Sequence, residues 1–211
     1  MAGEKLEMAR ARAGLYGLMS RVFSDKPTAA LLKGMKEPKM QESMASFEVP
    51  FDEEFLAGDD EQQAEELAVE YARLFLATGS HIAPYESVFV RGWAEDKPQL
   101  WGEATVEVSK FYEQAGLELR EGQTPDHLGI ELEAVAVMAE CEAARRESGD
   151  AAGAAGLEEL QRRFCQEHLK RWVPEFCEAV SRQAESGFYR GMADLTASLV
   201  RLHCGEEPII D

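Results

Sequence analysis

Apolar positions recur at three- and four-residue spacing along nearly the whole chain, the mark of helices that bury one face. Leu15, Leu18, Met19, Val22 and Phe23 share one stripe and predict a first helix that stops at or before Pro27. Residues 25 to 58 read as short, interrupted helical pieces, because Pro27, Pro38, Pro50 and several glycines break the pattern. Asp59 or Asp60 then caps a longer helix whose buried stripe is Leu67, Tyr71, Leu74 and Phe75. Asp96 and Pro98 predict the entry of the next helix, with Trp101, Ala104, Val108, Phe111 and Tyr112 on its inner face and Gly116 as its stop.

Thr124-Pro125 supplies a capping hydroxyl followed by Pro, a start signal for a helix carrying two adjoining apolar stripes. Leu128, Leu132, Val135 and Ala139 form one; Ile130, Ala134, Val137, Met138 and Cys141 form the other. Apolar residues over so much of the circumference predict the central helix. Gly149 to Gly156 has nothing large enough to pack and predicts a mobile linker, a possible hinge. Three more helical patterns follow, through Leu157, Leu160 and Phe164, then Trp172, Phe176 and Val180, then Tyr189, Met192, Leu195, Leu199 and Leu202. Pro174 is expected in a first turn after a break, since Pro in a helix interior costs about 3 kcal/mol. Val88-Phe89-Val90 is the one β-like run, too short to build a sheet. The expected fold is a single all-α helical bundle spanning residues 1–211.

Composition narrows the function classes. The 22 Lys and Arg against 40 Asp and Glu leave a net charge of −18 over 211 residues. Nucleic acid and anionic lipid both require a basic footprint, so neither is an expected partner. A cationic partner would be steered toward such a surface. No stretch reaches the roughly 18 apolar residues of a membrane span, and the mixed charges of residues 1–12 contain no apolar signal core. Cys141, Cys165, Cys177 and Cys204 are widely spaced and read as reduced thiols of a cytoplasmic protein.

Catalytic templates are missing. The chain has no phosphate-binding Gly-rich loop, no G-x-S-x-G and no H-E-x-x-H. Three residues before His81, His127, His168 and His203 stand Thr78, Thr124, Cys165 and Val200, so the Glu-x-x-His pairs of a di-iron bundle are absent. His127 and Glu131 share a helix face, yet two ligands do not make a metal site. No catalytic residue, metal or cofactor is expected. The unusual loop is Pro84-Tyr85-Glu86-Ser87: Tyr offers an amphipathic anchor, Glu a carboxylate that accepts an Arg fork, and Ser an adaptable hydroxyl.

Four pieces, in order, resemble the TorD/DmsD family of redox-enzyme maturation chaperones, relatives of NarJ. They are Glu70-Tyr71-Ala72-Arg73-Leu74-Phe75 with Pro84-Tyr85-Glu86-Ser87-Val88, then Pro125-Asp126-His127-Leu128 with Glu131, then His168-Leu169 with Trp172, Pro174 and Phe176, and finally Gly187-Phe188-Tyr189. Ala83 stands where many members have a second Pro, and Phe89 where Tyr is common. The resemblance implies an all-helical cytoplasmic chaperone, not an enzyme, that binds the precursor of a molybdenum-cofactor oxidoreductase through its twin-arginine signal peptide or its body. By position it places peptide binding on Tyr71, Leu74, Phe75, Pro84, Tyr85, Glu86, Ser87, Asp126 and His127. It implies a monomer or a domain-swapped dimer. Two alternatives stand beside it: a metal- or GTP-dependent hydrolase-like activity centred on Asp126, His127 and Glu131, and a structural assembly subunit.

Overall fold

A computed structural model of the chain describes residues 2–45, 53–77, 81–90 and 101–205. Among the described residues the regular structure is helical, with one isolated antiparallel bridge between Tyr85 and His127. The expected all-α class holds.

Helix α1 (Ala2–Ser24) runs along α8 (Leu128–Glu147), and this pair forms the spine of the molecule. Their approach depends on Gly129. Ser20 donates its hydroxyl to the Gly129 carbonyl at 2.8 Å. A Cβ on Gly129 would lie 2.0 Å from Ser24 Oγ and 3.1 Å from Ser24 Cα, so only glycine allows the crossing. The stripes read from sequence are buried as expected on α1. On α8 the first stripe is fully buried, while Val137 and Cys141 of the second reach the surface.

Short helices α2 (Ala29–Met35), α3 (Pro38–Ala45) and α4 (Glu53–Ala57) follow the first turn of chain, in keeping with the prolines and glycines there. Asp59 caps α5 (Asp60–Tyr71), accepting from the Glu61 and Gln62 backbone N–H groups. The helix then widens into a π turn over Ala72–Leu76. A one-turn helix, α6 (Glu86–Phe89), occupies the run that had looked β-like. The entry expected at Asp96 and Pro98 lies outside the described residues, as does Pro50. Helix α7 (Glu103–Ala115) ends at Gly116, whose φ of +70° is the left-handed stop that glycine supplies at least strain. Trp101 precedes that helix, is exposed and is not part of its inner face.

Three further expectations fail. Thr124-Pro125 does not open α8: these residues form a preceding turn, and the N-cap is His127, whose Nδ1 accepts from the Gly129 N–H at 3.1 Å. The Gly149–Gly156 stretch is not a linker. Asp150 caps α9 (Ala151–Phe164) by accepting from Gly153 N–H at 2.9 Å, and Ala154 is fully buried. Small side chains there permit close packing of α9 on α8. Short apolar composition was mistaken for looseness.

A second π turn, Cys165–Leu169, joins α9 directly to α10 (Lys170–Gln183). Pro174 therefore lies inside a continuous rod and follows no break. The widened turn ends just before Lys170, whose carbonyl lacks the donor that Pro174 cannot supply. Helix α11 (Gly187–His203) packs on α10. The buried apolar residues form one cluster from Leu15 to Cys204. Its aromatic centre is Phe23, Phe75 and Phe176, with ring centroids 5.6 to 6.1 Å apart.

Candidate peptide-binding site

The four sequence pieces assemble into two clasps. In the first, Glu70 on α5 accepts from the backbone N–H groups of Glu185 and Ser186, at 2.6 and 3.1 Å, at the start of α11. A carboxylate there suits the positive end of the helix. Tyr189 on α11 returns a hydrogen bond to the Leu67 carbonyl at 3.2 Å. The Glu70 and Gly187-Phe188-Tyr189 pieces thus hold each other.

The second clasp joins the remaining pieces. The segment 81–90 is fastened at three points. Ile82 N–H donates to the Leu74 carbonyl at 2.7 Å, tying it to the first π turn. Glu86 N–H donates to the Asp126 carbonyl and Leu128 N–H to the Pro84 carbonyl, both at 2.9 Å, while Ser87 N–H reaches Asp126 Oδ2 at 3.0 Å. Glu86 Oε2 meets His168 Nδ1 on the second π turn at 3.0 Å. Beneath this, Trp172 donates its indole N–H to Glu131 Oε2 at 3.1 Å, and Tyr112 donates to the Pro125 carbonyl at 3.1 Å. Two π turns frame the clasp, as such turns often do at working positions.

These contacts change the picture of the candidate residues. Glu86 and Asp126 are fully buried, and Ser87 nearly so. Their side chains point into the protein, where the Ser87 backbone N–H meets Asp126 and His168 meets Glu86. Tyr71, Leu74 and Phe75 are buried in the aromatic core, with Tyr71 donating to the Phe23 carbonyl at 3.3 Å. Pro84 is buried as well. Tyr85 and His127 are half-buried and meet edge to face, ring centroids 5.1 Å apart. The structure thus gathers the loop and Asp126-His127 into one place, with Tyr71, Leu74 and Phe75 behind them.

The electrostatics are unusual. Among the described residues, Glu86 Oε1, Asp126 Oδ1 and Glu131 Oε1 accept no hydrogen bond, and the Ser87 and Thr105 hydroxyls make none. Burial, and next the charge of Glu86, push the Glu131 carboxyl well above its ordinary range. A protonated Glu131 would supply the donor that the Glu86–Glu131 pair lacks. Burial pulls His127 down to about 4, against the opposing charge of Asp126, so the imidazole that caps α8 is neutral. Burial also raises Tyr71 to about 12, with Asp25 and Tyr85 adding to the effect.

One positive group answers this cluster from outside. Arg171 on α10, with 40% of its side chain exposed, lies 3.5 Å from Glu86 Oε1 and 3.4 Å from Glu107. Both Arg171 and His168 line a surface cavity of about 500 Å³ with Glu107, Lys110, Phe111 and Arg163. Sequence reasoning missed His168, Arg171 and Trp172 as site residues. The signal was present: 168 and 172 share a helix face at four-residue spacing, and 171 lies beside them.

His127 and Glu131 do not converge as metal ligands, since Nδ1 of His127 caps its own helix and Glu131 turns to Trp172. Among the described residues no group of three or more His, Cys, Asp and Glu could hold a metal ion.

The sequence is similar to chaperones. It is 29% identical over 208 residues to the chaperone protein TorD of Shewanella loihica, covering 92% of each chain. It is 24% identical over 191 residues to a protein of Haemophilus influenzae named as a Tat proofreading chaperone, DmsD, covering 86% of this chain and 85% of that one. A solved structure described as a redox enzyme maturation protein from Archaeoglobus fulgidus overlays with a TM-score of 0.48 at 20% identity, covering 93% of this chain and 91% of that one. The model of the nitrate reductase delta subunit family matches residues 31–178. With that match across most of its length, the chain belongs to the nitrate reductase delta subunit family.

Proposed function

We propose that this protein is a cytoplasmic chaperone that binds the precursor of a molybdenum-cofactor oxidoreductase, through a signal peptide bearing paired arginines, and holds it until cofactor loading is complete. Family membership and the chaperone names of its relatives support the general role. The observation that carries the finer reading is Glu86. Its carboxylate is buried, and its Oε1 has as its cationic neighbour a half-withdrawn guanidinium, Arg171, at 3.5 Å. A guanidinium from the precursor replaces Arg171 there, entering by the cavity at His168 and Arg171 and making the shorter, forked contact that Arg171 does not make. Tyr85 and His127, at the rim of the clasp, receive the apolar part of the peptide. Buried apolar area supplies affinity at about 25 cal/mol per Å²; charge sets register and encounter rate.

The test is a calorimetric titration with twin-arginine and twin-lysine versions of one precursor peptide. Wild-type protein is expected to prefer arginine by roughly tenfold, a difference of about 1.4 kcal/mol. Glu86→Gln is expected to bind both alike, and Arg171→Ala to bind the arginine peptide at least as well as wild type. Equal affinity of wild type for the two peptides, or loss of binding in Arg171→Ala, would remove Glu86 from recognition.

A further inference from the structure

Behind His168 the structure holds a pair of sulfur atoms that the clasp does not use. Cys165 lies in the second π turn and Cys204 just past the last turn of α11, 39 residues apart in sequence. Their Sγ atoms lie 2.7 Å apart, near enough for a disulfide to form between them without backbone rearrangement. None of the four cysteines is bonded to another. Cys165 is fully buried, with its Sγ 3.5 Å from the Val200 carbonyl and 4.0 Å from Tyr16 Oη. Cys204, 8% exposed, sits beside Gly205 at the end of the helix. The wide spacing of the cysteines gave no hint of this; the fold brings two of them together.

We propose that Cys165 and Cys204 form a reversible disulfide, a redox modification site that ties the π turn carrying His168 to the end of α11. The oxidant is a low-molecular-weight disulfide. Cys204, the more accessible thiol, gives up its proton and attacks one sulfur of that disulfide, releasing the first small thiol. The sulfur of Cys165 then attacks Cys204, expelling the second small thiol, which carries away the proton of Cys165. Two electrons and two protons leave the protein, and the reagent becomes two thiols. The hydrogen bond with Cys204, and next burial, hold the Cys165 thiol far above its ordinary range, so Cys165 acts as the resolving partner and does not initiate the exchange. The new bond would close a loop around α10 and α11 and fix the turn on which Glu86 is anchored.

The experiment treats the full chain with a series of glutathione redox buffers, followed by thiol blocking, intact mass measurement and non-reducing peptide mapping. The expected result is a loss of two hydrogen masses, a peptide joining Cys165 to Cys204, and full reversal by dithiothreitol. A double variant, Cys141→Ser with Cys177→Ser, is expected to behave as wild type, and Cys204→Ser to form no internal link. The proposal is overturned if Cys165 and Cys204 remain thiols at a glutathione disulfide excess that modifies exposed Cys141. It is equally overturned if Cys204 stops at a stable mixed disulfide, or if the link found involves Cys141 or Cys177. Should Cys204→Ser fail to fold, the peptide map of wild-type protein decides alone.

Discussion

Two buried acidic sites in this molecule are built on opposite terms. At the junction of α1, α8 and α9, Glu142 is 1% exposed and amply met. Arg12 donates to its Oε2 at 3.0 Å, Gln161 to the same oxygen at 2.8 Å, and Arg146 to its Oε1 at 2.7 Å. At the clasp, three carboxylates share one histidine, one indole, one backbone N–H to a side chain and a guanidinium at arm's length. The first site closes its account of donors and acceptors within the protein. The second leaves oxygens unmet. A satisfied network fixes helices in place, whereas a deficient one, kept between two π turns beside a cavity, is suited to accept a donor from a ligand.

The contrast is broken most forcefully at Glu142. Glu142→Leu removes the shared carboxylate of two largely buried guanidinium groups, leaving Arg12 with Gln161 and Arg146 with the half-exposed Glu158. The expected loss is about 3–5 kcal/mol, read from urea unfolding; a loss below about 1 kcal/mol would show that the first network is ornamental.

Acid should act next, and chiefly through histidine. His127 is held at about 4 against an ordinary value of 6.5, and His203 likewise, both by burial. Between pH 6.5 and 4 the unfolded chain takes up these protons and the folded chain does not, so stability falls as pH falls through that window. Each histidine accounts for a total loss of up to about 3 kcal/mol across the window. His127→Gln is expected to remove its share in a pH series of unfolding midpoints, at the expense of part of the α8 cap.

Glu131 works in the other direction. Its folded carboxyl is raised, so the unfolded chain releases the proton first as pH rises above about 4.5, and stability declines from there upward. Glu131→Gln keeps an acceptor for Trp172 and needs no proton. Relative to wild type it is expected to be nearly neutral at pH 5 and to become stabilising as pH rises to 8. A loss at pH 8 would mean that the clasp relies on the Glu131 charge. Arg171→Ala should matter least to stability, under about 1 kcal/mol, because its guanidinium is 40% exposed and comes no nearer than 3.4 Å to Glu107 and 3.5 Å to Glu86.

The sequence revealed the helices through periodicity and missed the directions of polar side chains. Leu15, Leu18, Met19, Val22 and Phe23 could be placed inward from their spacing alone. Gly116 announced its stop. Glu86, Ser87 and Asp126 are drawn together and turned inward, which their order in the chain did not show, because polar residues in a loop are ordinarily outside. What turns them inward is supplied by His168, tens of residues later in the chain, and by backbone N–H groups brought near by folding. The Gly149–Gly156 stretch failed for a related reason: smallness marks a linker when the chain is alone and a close helix contact when a neighbour is present.

The fastening between the 84–87 loop and the start of α8 has one last consequence. It consists of three hydrogen bonds whose donors are the Glu86, Ser87 and Leu128 amides, all meeting the Pro84 and Asp126 acceptors within a few ångströms. Bonds so placed open together, like teeth on one zip. The three amide protons therefore form a built-in clock, exchanging with solvent deuterium at a shared rate that reports each opening of the loop. Any ligand seated on the loop would slow all three amides at once, which makes the loop readable residue by residue.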